Sequence, residues 1–99
     1  MGWTETTARQ RVSREALAII EARRDGELPW RAEWSDVFDD RDDLMRTLTD
    51  RWRRQVETQL DPDLDDLTYQ RTRRALEEQN AGWIEIARRA GTGGRVDVA

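Results

Sequence analysis

Between Trp34 and Leu60 apolar side chains recur at three- or four-residue spacing, with Arg41 standing in one of the places, and a similar rhythm, with Thr68, Thr72 and Gln79 among its places, restarts after Asp61-Pro62 and runs to Ala90. That period belongs to one face of a helix and not to a strand. In the first stretch Trp34, Val37, Phe38, Leu44, Met45, Leu48, Trp52, Val56 and Leu60 form a single stripe about 160° wide on a helical wheel. A continuous helix over residues 35–60 would be roughly 39 Å long, too long to bury such a stripe alone. Another long helix has to lie along it.

Residues 66–90 are the natural partner. Their inward face reads Thr68, Thr72, Leu76, Gln79, Trp83, Ile86, Ala87 and Ala90, with Tyr69 at its margin. Asp63, Asp65 or Asp66 can cap this helix, and Gly91 follows Arg88 and Arg89 at its end. The connector of about five residues around Pro62 is short enough to impose an antiparallel turn. A third helix is predicted over about residues 4–24, where Ala8, Val12, Ala16, Ile19 and Ile20 share a face and Gly26 stands as a stop. Ser35 is the expected N-cap of the second helix, with Asp36, Asp39 and Asp40 in its first turns. Gly82 inside the third costs propensity, but beside Trp83 it can permit a close helix crossing.

The expected fold is therefore all-α: a long antiparallel helical hairpin with an N-terminal helix against it, over a single domain at 1–90. It closes either as a three-helix bundle or as a dimeric helical bundle. The width of the second helix's stripe favours the dimer. Residues 91–99 read as a flexible tail, although Arg95-Val-Asp-Val98 alternates in the manner of a strand that adds to a partner's sheet.

Composition narrows the chemistry. Apolar residues are 36% of the chain and charged residues 38%, so the core is thin and self-association would supply further burial. All 17 basic residues are arginine. A lysine-free chain points to a GC-rich, bacterial genome. Histidine and cysteine are also absent. No imidazole base, thiol, Schiff-base lysine or zinc site of the usual kind can be assembled. No cofactor and no stand-alone catalysis is expected. A net charge of −4 argues against a free-standing nucleic-acid binder and against anionic membranes. No apolar run reaches transmembrane length and no signal-peptide core begins the chain, so a cytoplasmic location is the default. Met1-Gly2 with Thr6 matches the loose N-myristoylation pattern, which a bacterial source makes a coincidence.

Several constellations remain as candidate interaction sites. Arg41 projects from the middle of the apolar stripe, joined along it by Gln55 and Gln59, and across from it by Thr72 and Gln79. Buried, it would need a partner. Three readings stay open: a snorkelling side chain, a polar layer that fixes helix register, and an anchor for a small anion. Asp36, Asp39, Asp40 and Asp43 read as capping acids, or as an acidic patch for a basic partner. Trp30 and Trp34 are core aromatics or a contact patch for a protein. Asp61 to Asp66 lacks the glycine and the glutamate of a calcium loop and reads as a turn with an N-cap. Arg51, Arg53 and Arg54, like Arg71, Arg73 and Arg74, scatter around their helices and have acids at i,i+4, including Asp50–Arg54, Arg73–Glu77 and Arg74–Glu78. The function these features favour is a non-enzymatic protein–protein interaction module: an adaptor, regulator or accessory subunit. A transcription-linked or nucleic-acid-associated factor, and a subunit binding a small anionic ligand through Arg41, are the alternatives.

Overall fold

The structure, a computed structural model, describes residues 2–91, with side chains described from Thr4. The chain is all-helical, with no strand among the described residues. Helix α1 is Gly2–Arg23 and α2 is Arg41–Gln59, with a five-residue 3₁₀ segment, Ala32–Asp36, between them. Helices α3, Asp66–Gln79, and α4, Ala81–Ala90, follow. The alternating Arg95–Val98 segment lies outside the described residues. Among the described residues, no helix is long and apolar enough to cross a membrane.

Both long rods anticipated from the periodicity are interrupted, each for a local reason. Trp34, Val37 and Phe38 keep their apolar spacing, but they belong to the 3₁₀ segment and the turn after it. Helix α2 starts only after Asp40, whose carboxylate accepts from the Asp43 N–H at 2.9 Å. Asp43 answers by accepting from the Asp39 N–H at 3.0 Å. This is a reciprocal variant of the capping box, and it fixes the start of α2 five residues later than Ser35 would. Ser35 caps nothing; its hydroxyl donates to the Ala32 carbonyl.

The second interruption is at Asn80. There the backbone leaves helical geometry, and the Asn80 amide folds back to donate to the Leu76 carbonyl. The new N-terminus of α4 has no cap from its own chain segment. Glu21, from the last turn of α1, supplies one: its two carboxylate oxygens accept from the Gly82 and Trp83 N–H groups, each at 2.9 Å. A negative group on the exposed amides of a helix start is favourable both as a hydrogen-bond acceptor and against the dipole. Gly82 makes the approach feasible. A Cβ there would lie 2.6 Å from the Ile20 carbonyl oxygen, so only glycine lets α4 cross α1 this closely.

The fold is consequently organised on α1. Its closest packing is against α4; α2 also packs on α1, and α3 on α4, whereas α2 and α3 touch little. Helices α4 and α2 are seated on the N-terminal helix, and the contacts support the antiparallel pairing of helices 35–60 and 66–90 only in part. The core gathers Val12, Ala16 and Ile20 from α1, Trp34 and Phe38 from the linker, Leu44, Leu48 and Trp52 from α2, and Trp83, Ile86 and Ala87 from α4. From α3 only Leu76 is fully buried. The turn between α2 and α3 forms as expected, with Asp61 accepting from the Asp63 N–H and Asp65 capping α3 through the Thr68 N–H. Gly91, at φ 70°, closes α4 in the left-handed conformation that glycine adopts without steric cost.

Candidate functional site: the outward face of α3

Helix α3 turns one side to the core and leaves the other open. Leu67, Gln70, Arg71, Arg74, Ala75 and Glu78 lie at i, i+3, i+4, i+7, i+8 and i+11 along it, and all are exposed. Leu67 is 59% exposed, the one large apolar side chain so placed among the described residues. The opposite side carries Leu76 into the core, with Tyr69, Thr72 and Arg73 half-buried around it. Arg73 is tied to Glu77 at 3.4 Å, the i,i+4 pair anticipated from the sequence. The anticipated Arg74–Glu78 pair does not form, and Arg71, Arg74 and Glu78 have no ion-pair partner among the described residues. The face therefore combines one unburied leucine, a small central alanine and charges of both signs that are free to meet another surface.

The interaction residues expected from the sequence fare differently. Arg41 is the first residue of α2 and is exposed, because the helix begins there instead of running through it. It is no buried register-setting residue and no anchor inside an interhelical pocket. Gln59 and Gln79 are exposed too, so the polar layer has no members on either helix end. Asp36, Asp39, Asp40 and Asp43 do not share a helix face. Asp36 ends the 3₁₀ segment, Asp39 lies in the linker, and Asp40 and Asp43 are occupied in capping α2. Asp43 also faces the Arg9 and Arg46 guanidinium groups, each at 3.6 Å. The Asp39 N–H is the main reason its carboxyl is held below the usual aspartate range, with Arg9 and Arg46 adding to it.

Trp34 is buried, 1% exposed, and is therefore no contact residue. Its indole N–H donates to Glu15 at 3.0 Å, and Arg31 reaches the same carboxylate oxygen at 3.2 Å while lying over the Trp34 ring. Trp30 is half-buried and stands edge-on to Trp34 with ring centroids 6.2 Å apart. The connector tryptophans are thus core and core margin. Sequence reasoning missed Glu21 and Arg9. An acid in the last turn of a helix is unfavourable for that helix's dipole, which was the available sign that Glu21 serves another element. Arg9 carried no such sign. It bridges α1 to the start of α2 by donating to the Val37 carbonyl and the Thr47 hydroxyl, with its guanidinium 4.4 Å from the Phe38 ring centroid.

Among the described residues no group of three or more acidic side chains is arranged to hold a metal ion. No family model, curated protein or solved structure matches this chain.

Proposed function

We propose that this chain is a non-enzymatic interaction module that assembles through the outward face of α3, with a second copy of itself as the first partner. The observation that carries the reading is the 59% exposure of Leu67 on a helix whose opposite face gives the core only Leu76. A thin core of this kind gains from burial between subunits.

The charge pattern favours self-pairing. If two α3 helices run antiparallel about a two-fold axis between Arg74 and Ala75, Arg71 of each copy meets Glu78 of the other, and Gln70 meets Gln79. Ala75, at the centre, admits close approach of the backbones. Leu67 then covers the bend between α3 and α4 of the other copy. The same surface would serve an adaptor, a regulator or an accessory subunit, since all three act by presenting a helix face.

The chain has no cysteine, so a single introduced thiol reports on one position. In Ala75→Cys, a short bifunctional thiol reagent is expected to trap a covalent dimer. Arg11→Cys, on the exposed side of α1, is expected to stay monomeric under the same conditions. Equal cross-linking at the two positions, or none at Ala75→Cys, would exclude α3 as the contact.

A further inference from the structure

A second surface, independent of α3, lies between α1 and α2. A cleft of about 310 Å³ is lined by Arg9, Ser13, Thr47, Asp50, Arg51 and Arg54, with Thr6 and Gln10 at its edge. Ser13 is the buried polar residue of the core, 2% exposed, so it forms the floor of this cleft. Its hydroxyl makes no hydrogen bond to another described residue and stays open to solvent through the cleft; the fully buried side-chain polar atom without a partner among the described residues is Trp83 Nε1. Arg51 and Arg54 are exposed on the wall and likewise have no ion-pair partner among the described residues. The one acid on the cleft, Asp50, is turned to Arg53 at 3.3 Å instead of to Arg54. Arg9 closes the other side, held in place by Thr47 at 2.8 Å.

The arrangement is a fixed guanidinium, two free ones and a hydroxyl open to the cleft, all able to donate, around a space of small-molecule size. Two arginines without counter-charge on one wall repel each other unless an anion joins them. Guanidinium groups match tetrahedral oxyanions through paired N–H donors, and a phosphate monoester carries about −1.5 to −2 charges near neutral pH. Two free positive charges balance that dianion.

We propose that the α1–α2 cleft binds a small phosphate-class anion, with Arg51 and Arg54 as the charged clamp, Ser13 as a hydrogen-bonding floor and Arg9, its charge faced by Asp43, as a fixed donor on the opposite wall.

Isothermal titration calorimetry on the full chain at low ionic strength tests this, with inorganic phosphate and glycerol phosphate as the two ligands. Saturable one-to-one binding of either is expected, and the stronger of the two separates free phosphate from a phosphorylated metabolite as the source. Arg51→Ala with Arg54→Ala should weaken it at least tenfold and Ser13→Ala several-fold. Arg11→Ala with Arg14→Ala, an equal loss of charge from exposed positions of α1 outside both the cleft and the α3 face, should leave it unchanged. The exposed arginine variants keep the helical circular dichroism of the wild type, and the Arg11/Arg14 variant controls for general attraction to arginine. Absence of saturable binding, or equal weakening by the two double variants, would overturn the assignment. So would binding of an oligonucleotide alone, with a steep salt dependence.

Discussion

Asp43 concentrates the local electrostatics of the molecule. It accepts from the Asp39 N–H, sits beside Arg9 and Arg46, and fixes where α2 begins. Its folded pKa is depressed. A carboxylate of this kind stabilises the fold fully above its unfolded pKa, about 3.9, and loses that contribution as pH falls through the lower folded value. Asp43→Asn should cost about 1 kcal/mol at neutral pH, the usual worth of a capping interaction. Urea unfolding of both proteins across a pH series should show the two stabilities converging below about pH 4. A constant difference down to strongly acid pH would mean that the charge at Asp43 contributes nothing. Residues of this kind are partly legible in a sequence. Acids crowded before an apolar run announce a cap, but four of them in Asp36, Asp39, Asp40 and Asp43 leave its position ambiguous, and only the reciprocal bonds single out Asp40. Arg9 was beyond reach, because its partners Val37 and Thr47 are far along the chain and carry no pattern that points back to it.

At the level of elements, α4 depends on α1 for both its start and its seat. Glu21 caps it and Gly82 lets it approach. Alanine is the better helix former by about 1 kcal/mol, so on propensity alone Gly82→Ala would stabilise. The clash at 2.6 Å is with the backbone carbonyl of Ile20, which cannot swing aside as a flexible side chain can. Overpacking of this sort typically costs about 1–3 kcal/mol, and a net loss of that order is expected in thermal or urea unfolding of Gly82→Ala. A gain in stability would show that the crossing is looser than described. The helical period is legible, and so are the stretches that hold α1 to α4, but not the 3₁₀ segment Ala32–Asp36. The breaks are not. A wheel continues smoothly through Asn80 because Leu76, Trp83 and Ile86 keep their spacing, and nothing within residues 66–90 reveals that an acid from α1 will satisfy a new helix start. The same continuity carried the second stripe through residues 37–40, where the 3₁₀ segment delivers Trp34 and Phe38 to the core without a continuous helix.

For the molecule as a whole, the consequence of centring on α1 is that α3 is left partly outside. Periodicity had paired its apolar face with α2, which placed the available surface elsewhere and raised Arg41 to prominence. Once α4 parts from α3 and occupies α1, the exposed set becomes Leu67, Arg71, Arg74, Ala75 and Glu78. That set is the surface on which the proposed assembly rests. Charge reversal tests it most directly. Arg71→Glu alone and Glu78→Arg alone each place like charges opposite one another in the antiparallel pair, whereas the double reversal restores opposite ones. Sedimentation equilibrium should find the wild type dimerising, each single variant dissociating at least tenfold more readily, and the double variant recovering. A monomeric wild type, or a double variant no better than the two singles, would contradict assembly through α3.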